Sequence, residues 1–188
     1  MRPSSAVLSA LVNKAFTLDP KLGISTNREG DAIDGGKVVT LTADADSASL
    51  SSGRGADTGL WVPYLPKNAV IGFVADGQTW MASGPFSGCE FVVGIEKKGT
   101  SVGRVFGAHI SKESGSDANA VFKAYAEKNG LSAWYWNKMP MAEDSFATTC
   151  FVFAEFGDTG LTSLNRVDIR VRTMGGSDGT VLRVKTFK

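Results

Sequence analysis

Residues 89–110 read CEFVVGIEKKGTSVGRVFGAHI. Two β-prone runs, Glu90–Glu96 and Val102–Ile110, flank a polar segment that has Gly99 at its centre. The pattern predicts a β-hairpin whose connection has roughly three to five residues. Alternation along the two runs gives one apolar face, and the residues expected on it are Phe91, Val93, Ile95, Gly103, Val105 and Gly107.

The register of this hairpin decides whether Cys89 and His109 meet. His109 is the only histidine of the chain, and Cys89 is one of two cysteines. A turn centred on Gly99 places them directly opposite each other on one face, with Cβ atoms about 5 Å apart. A slip of one residue would send them to opposite faces.

A thiol beside an imidazole is the reactive pair of cysteine hydrolases. The imidazole lowers the pKa of the thiol or accepts its proton, and the thiolate is the nucleophile. Gly88 leaves space for a substrate carbonyl, and backbone N–H groups at Gly88 and Cys89 would hold the oxyanion. The alternative is structural, with Cys89 as a small buried apolar residue and His109 as an ordinary strand residue.

The segment Phe86-Ser87-Gly88-Cys89, followed by the hairpin and the lone His109, resembles a known core. It is similar to the Leu-Ser-Gly-Cys…His core of the cytotoxic necrotizing factor catalytic domain and of Burkholderia lethal factor. Leu60-Trp61-Val62-Pro63-Tyr64 is also similar to a Leu-Trp-Leu-Pro-Trp stretch that precedes Ser-Gly-Cys in the lethal factor. Phe86 stands where these relatives have Leu, and the interval from Cys89 to His109 is longer here.

These toxins deamidate a glutamine of a host protein. The resemblance therefore implies a protein-glutamine deamidase with Cys89 as nucleophile and His109 as base. In that family the third catalytic element is a main-chain carbonyl or a Thr shortly before the Cys, and Ser83 occupies about the matching position. The resemblance thus makes Ser83 a candidate to orient His109. It also implies a secreted bacterial effector that acts in the host cytoplasm, on a protein such as a small GTPase or a translation factor.

Composition predicts one globular domain over residues 1–188. Hydrophobic residues make up 43% of the chain, charged residues make up 21%, and the formal net charge is +1. This balance gives no reason to expect nucleic acid or a membrane surface as a partner. No apolar run reaches the roughly 18 residues that span a bilayer. Three Cys and His residues are too few for a structural zinc site, and we expect a monomer without a cofactor or a metal.

The expected fold is a single-domain, β-rich sandwich of the α/β (α+β-like) class, with mostly antiparallel strands and two main helices. An N-terminal helix within residues 1–20 is capped by Ser4 or Ser5 and packs on the domain. A second helix covers Asp117–Asn129. Residues 43–59, rich in Ala, Asp, Ser and Gly, predict a long surface loop, with a lid or a partner-recognition segment as the alternative.

Further residues have both a functional and a structural interpretation. Phe146–Phe156 predicts a central strand with Cys150 packed inside it. A Cys89–Cys150 disulfide would exclude catalysis, and reduced thiols are expected because no secretion signal is present. Arg166–Thr173 predicts a half-buried strand with one charged face. Three tryptophans are candidates to line a substrate groove: Trp61, Trp134 and Trp136. Core packing is the simpler role for all three.

Two functions are open from the sequence. The first is a Cys–His glutamine deamidase, whose pair could also serve transglutamination if an amine replaced water. Peptide-bond proteolysis is a less favoured variant of the same chemistry. The second function is a non-catalytic, β-rich interaction module in which Cys89 and His109 are structural.

Overall fold

Strands account for 56% of the computed structural model of this chain. The structure describes residues 1–23, 35–53, 55, 57–98, 101–139, 148–157, 160–173 and 178–188. These ranges contain the helices α1 (Ser5–Ser9) and α2 (Ala118–Lys128) and a 3-10 helix at Pro20–Leu22. No helix in the described part of the chain is long and apolar enough to cross a membrane. The strands are β1 (Ala15–Leu18), β2 (Lys37–Ala43), β3 (Ser47–Ser52), β4 (Gly59–Pro63), β5 (Ala69–Phe73), β6 (Trp80–Phe86), β7 (Glu90–Lys98), β8 (Ser101–Ile110), β9 (Leu131–Lys138), β10 (Thr148–Gly157), β11 (Gly160–Val171) and β12 (Gly179–Thr186).

Eight strands form a closed barrel in the order β1-β12-β11-β10-β6-β4-β2-β3. Neighbouring strands are antiparallel except for two parallel pairs, β1 with β3 and β4 with β6. Every strand of the barrel contributes apolar side chains to one buried cluster, and Leu8 of α1 joins it. The largest side chains of this barrel core are Phe16, Trp61, Trp80, Phe151 and Phe153.

The other four strands form an antiparallel sheet in the order β5-β8-β7-β9. One face of this sheet packs against the outside of the barrel, where Phe91 of β7 and Val152 of β10 belong to one buried cluster. The two layers approach closely at Gly107, since a Cβ atom there would lie 2.5 Å from Sδ of Met81. Helix α2 covers the opposite face of the sheet through Phe122. The fold is therefore β-rich with two helices, as predicted, but a barrel with a sheet packed on it replaces the expected sandwich.

The N-terminal helix is much shorter than the predicted one. Helix α1 has five residues, and the Ser4 hydroxyl accepts a hydrogen bond from the N–H of Val7 at its start. The chain then enters the barrel as β1, where Phe16 and Leu18 are buried. Tertiary pairing of β1 with β3 and β12 overrides the helical spacing of this segment. The predicted second helix is confirmed as α2.

Residues 43–59 do not form one long loop. They contain β3, which pairs with both β1 and β2. Ala48 and Leu50 are buried in the barrel core, and serines occupy the alternate positions. The expectation of a loop was wrong because serine and alanine have a weak preference for strands, which hid an alternation of period two.

The charged face predicted for β11 is correct at Arg170, which is exposed, but wrong in the middle of the strand. Arg166 and Asp168 are buried, and Nε of Arg166 lies 2.5 Å from Oδ1 of Asp168. Nε of Arg183, on the neighbouring β12, lies 2.5 Å from Oδ2 of the same carboxylate. Alternation of charged and apolar residues therefore marks an internal ion pair here, since a buried charge is tolerated when a partner neutralises it.

The β7–β8 hairpin is confirmed, but its register differs from the predicted one. His109 pairs with Phe91, and the turn at Gly99 lies outside the described residues. Lys98 pairs with Ser101, so the strands extend closer to the turn than expected. An irregularity opposite the step from Ile95 to Lys97 then places one extra residue in β8. Together these shifts move the pairing by two positions. A shift of two residues preserves the face, so Cys89 becomes a diagonal neighbour of His109.

Truncation of Leu50 tests whether β3 belongs to the barrel core. Leu50→Ala removes a side chain with no exposed surface, and we expect the free energy of unfolding to fall by about 2–5 kcal/mol. Urea denaturation followed by tryptophan fluorescence measures this loss. Ser51→Ala, one residue further along the same strand, is the matched control and should change stability by less than about 0.5 kcal/mol. Equal effects of the two substitutions would contradict the assignment.

Candidate active site

Ser83, Cys89 and His109 all lie where the sheet packs on the barrel, and Ser83 and His109 are hydrogen-bonded to each other. Ser83 lies on β6 of the barrel wall, and His109 lies on β8 of the sheet. Cys89 belongs to the corner, residues 87–89, that carries the chain from β6 to β7. All three side chains are buried, with exposed fractions of 0%, 7% and 1% respectively.

Ser83 fixes the tautomer of the His109 ring. The Ser83 hydroxyl lies 2.7 Å from the carbonyl oxygen of Val62 and 3.0 Å from Nδ1 of His109. A carbonyl oxygen only accepts, so the single hydroxyl proton is donated to Val62. The Ser83 oxygen must then accept from Nδ1–H, which leaves Nε2 unprotonated. Among the described residues, Nε2 of His109 has no hydrogen-bond partner.

Aromatic rings enclose the imidazole. Phe86 stacks on it at a centroid distance of 4.1 Å and an angle of 13°, and the Tyr64 ring is tilted against it at 5.2 Å. Because burial disfavours the charged ring, it lowers the pKa of His109 from 6.5 to about 3. His109 is therefore a neutral imidazole with a free lone pair at neutral pH.

The Cys89 thiol faces a cavity of about 540 Å³. Burial is the main influence on this thiol and raises its pKa above 9.0, although the backbone N–H of Lys112 donates to the sulfur and acts in the opposite direction. We expected the neighbouring His109 to lower the pKa of this thiol, and that expectation was wrong. A neutral ring does not stabilise a thiolate by charge.

Cys89 and His109 share a face but are not hydrogen-bonded to each other. Nε2 of His109 is unpartnered within the described chain, so it makes no bond to the Cys89 sulfur. Diagonal neighbours across an antiparallel pair lie about 7–8 Å apart, compared with about 5 Å for the directly opposed pair that we predicted. The resting structure thus holds the two groups on one face of the hairpin without a hydrogen bond between them.

Charged and aromatic side chains line the cavity around the thiol. The lining consists of Tyr64, Ser87, Gly88, Cys89, Lys112, Glu113 and Lys138. Nζ of Lys112 lies 2.9 Å from Oε1 of Glu90, and Oε2 of Glu90 accepts hydrogen bonds from Trp136 and Asn119. The Tyr64 hydroxyl donates to Oε1 of Glu113. These contacts hold the segment after β8 beside Cys89.

The three groove candidates have different locations. Trp61 is fully buried in the barrel core, where its Nε1–H donates to the carbonyl oxygen of Leu22, so its proposed place in a groove is wrong. Trp134 lines another depression, together with Phe156. Trp136 is 38% exposed and does not line the Cys89 cavity, but its Nε1–H donates to Glu90, which is paired with the lining residue Lys112.

Sequence reasoning missed four lining residues: Tyr64, Lys112, Glu113 and Lys138. Tyr64 is the last residue of the Leu60–Tyr64 motif, and its place in that motif could have indicated that it lies near the site. Lys112 and Glu113 come after Ser111, just beyond the end of β8. Their place beyond the strand that carries His109 was a second available signal. Lys138 comes from β9, and no local pattern links it to Cys89.

The other cysteine has a core position. Cys150 is 1% exposed, and burial raises the pKa of its thiol to about 12. Both cysteines are free thiols. No family model matches the chain, and no curated protein is significantly similar to it. A chemical role for the Cys89 cavity therefore depends on the geometry described above and on the motifs within residues 60–110.

Burial of His109 predicts loss of stability in mild acid. The unfolded chain binds a proton near pH 6.5, whereas the folded chain binds it only near pH 3, so acid favours the unfolded state between these values. We expect the free energy of unfolding to fall by about 1.4 kcal/mol per pH unit well below pH 6.5, or roughly 2 kcal/mol by pH 5. Urea titrations at pH 7 and pH 5 measure the difference.

His109→Phe is the control for this prediction, because it keeps a stacked ring and removes the titrating group. No other histidine is present, so the variant should lose most of the dependence on pH between 7 and 5. The same dependence in the variant and in the parent protein would show that other groups cause it.

Iodoacetamide should distinguish the two thiols. At pH 8 we expect modification of Cys89, which opens on the cavity, and protection of the deeply buried Cys150. The rate at Cys89 should keep rising beyond pH 9, because burial raises the pKa of this thiol. Peptide mass spectrometry measures both sites, with Cys89→Ser and Cys150→Ala as controls. Comparable rates at the two thiols would contradict the assignment.

Proposed function

We propose that the protein is a protein-glutamine deamidase in which Cys89 is the nucleophile and His109 is the base. One observation carries the proposal: the hydrogen-bond chain from His109 through Ser83 to Val62 leaves Nε2 unprotonated and, among the described residues, without a partner. Cys89, which lines a cavity, precedes Phe91, the strand partner of His109, by two residues. The Phe86–Cys89 motif and the lone histidine support glutamine as the substrate, through their resemblance to the deamidase toxins. The cavity volume of about 540 Å³ is ample for a glutamine side chain.

The first half-reaction forms a thioester. Nε2 of His109 accepts the proton of the thiol while the sulfur adds to the carboxamide carbon of the substrate. Backbone N–H groups at Gly88 and Cys89 are the candidate donors to the oxyanion. The imidazolium then transfers its proton to the nitrogen of the substrate, the C–N bond breaks, and ammonia leaves.

The second half-reaction releases glutamate. A water molecule gives a proton to Nε2 and adds to the thioester carbon, after which the C–S bond breaks and the thiol regains its proton. Throughout the cycle Ser83 accepts from Nδ1–H, and this hydrogen bond strengthens when the ring becomes charged. Ser83 is thus a positioning residue that acts through His109.

Both reacting groups are neutral before the substrate arrives. The burial that raises the pKa of Cys89 and lowers the pKa of His109 disfavours a resting ion pair. Charge therefore separates only as the C–S bond forms. Catalytic hydrogen bonds are often long in free enzymes and shorten when substrate binds, so the gap between Cys89 and His109 is compatible with this mechanism.

The proposed substrate is a host protein, and the proposed setting is a secreted bacterial effector that acts as a monomer in the host cytoplasm. Lys112, Glu113 and Lys138 at the cavity are exposed side chains, which suits a glutamine presented on the surface of another protein. The resemblance suggests a small GTPase or a translation factor as the substrate class.

A second candidate function is the non-catalytic interaction module. It is favoured by the absence of a hydrogen bond from His109 Nε2 to Cys89 in the described structure and by the burial of both groups. In that case the Ser83–His109 bond serves only to join the sheet to the barrel. Glutamine conversion is the observation that separates the two functions.

Mass spectrometry of treated host-cell lysate tests the proposal. We expect one glutamine of a host protein to gain about one dalton after incubation with the enzyme, as hydrolysis of an amide to an acid requires. Cys89→Ser should abolish the change, and His109→Phe should slow it by roughly 10²–10⁴-fold, the usual contribution of a general base. Cys150→Ala is the matched control and should retain activity.

Ser83 gives a graded check of the same mechanism. Ser83→Ala removes the acceptor of Nδ1–H and should slow deamidation, whereas Ser83→Thr keeps a hydroxyl and should restore much of the rate. No mass change on any host protein, with folded enzyme in excess, would refute the assignment as a deamidase.

A further inference from the structure

Tyr64 contacts both halves of the candidate site. It follows β4 directly, and its ring lies 5.2 Å from the His109 ring at an angle of 48°. The same residue lines the Cys89 cavity. Its hydroxyl donates to Oε1 of Glu113, which lies beyond the end of β8 and also lines the cavity. Tyr64 is thus shared between the environment of the base and the cavity of the nucleophile.

His109 itself does not reach the cavity. Its side chain is 1% exposed and is not among the residues that line the space beside Cys89. The Ser83 hydroxyl is hydrogen-bonded to Nδ1, and Phe86 covers one face of the ring. The proposed reaction nevertheless requires Nε2 to meet a thiol and a carboxamide in that space. Some neighbour of the ring must therefore give way.

We infer that Tyr64 is a positioning residue that separates His109 from the Cys89 cavity and is held in that place by Glu113, and that its displacement admits the substrate carboxamide to the base. The catalytic part of this inference rests on the proposed function. The cover that Tyr64 forms over His109 does not, because it follows from the ring contacts and the cavity lining alone.

Tyr64 is better suited to move than the other neighbours of the ring. Phe86 is 1% exposed and lies on β6, where it pairs with Cys150 in the barrel wall. Ser83 is fully buried and bonded to Val62. Tyr64, in contrast, is only partly buried, and its hydroxyl is held by an exposed carboxylate. Water can replace such a hydrogen bond at little net loss.

The titratable groups near His109 should not interfere with a pH titration of the His109 ring. Tyr64 follows β4, Cys89 precedes β7, Glu90 begins β7, and Lys112 and Glu113 follow β8. From β6, the ring is faced by the uncharged Ser83 and Phe86. Burial alone accounts for the lowered pKa of His109, so removal of the cover should return this pKa toward 6.5.

The test is an NMR titration of the single histidine in the full chain. In the parent protein the Cε1 proton of His109 should not titrate between pH 5 and pH 8. In Tyr64→Ala it should titrate with a midpoint at least two pH units above that of the parent. Tyr64→Phe keeps the ring over His109 and is the matched control, so its midpoint should stay well below that of Tyr64→Ala. Because this variant also loses the bond to Glu113, its Cε1 exchange should match that of Glu113→Ala. A folded Tyr64→Ala protein whose histidine stays silent above pH 5 would overturn the inference.

Glu113→Ala provides an independent variant, because Glu113 is exposed and its loss should leave the fold intact. Release of the Tyr64 hydroxyl should speed deuterium exchange at Cε1 of His109 several-fold. If Tyr64→Ala does not fold, the exchange rate of Glu113→Ala tests the inference instead. A rate equal to that of the parent protein would count against it. Failure of the proposed function is recognised separately: His109 would become accessible in these variants while no glutamine is converted by any form of the protein.

Discussion

The Ser83 hydroxyl has one proton, and it donates this proton in a hydrogen bond to the carbonyl oxygen of Val62. This constraint makes the serine oxygen an acceptor for His109 Nδ1–H and leaves Nε2 as a free base. The same hydroxyl ties β4 and β6 of the barrel to β8 of the sheet. The chemical state of the imidazole therefore depends on one short chain of hydrogen bonds, which also links the sheet to the barrel within their apolar interface.

That dependence explains why the site combines reactive groups with apolar surroundings. Phe86 and Phe91 fill the interface around His109 and exclude water from it. Exclusion of water keeps the imidazole and the Cys89 thiol neutral, and it strengthens any charge–dipole interaction that develops during a reaction. The loss of stability in acid that follows from a buried histidine is the structural cost of this arrangement.

Local pattern was enough to predict the β7–β8 hairpin, the face that it buries and helix α2. The resemblance located Ser83 six positions before Cys89, and the structure places its hydroxyl 3.0 Å from His109; whether Ser83 acts in catalysis stays a prediction. The register failed because the irregularity near Ile95 leaves no mark in the hydrophobic pattern. Barrel closure was also out of reach, since pairing of β1 with β3 and β12 joins segments far apart in sequence.

The two sheets differ in one further respect. The barrel closes on itself, whereas β5 and β9 are the edges of the four-stranded sheet within the part of the chain that the structure describes. The carbonyl of Ile71 on β5 accepts from the N–H of Gly35, which occupies part of that margin. Unpaired sheet margins are where another polypeptide can add as an extra strand. A peptide paired with β9 would run past Lys138, the last residue of that strand, and so would pass the mouth of the cavity that Cys89 also lines.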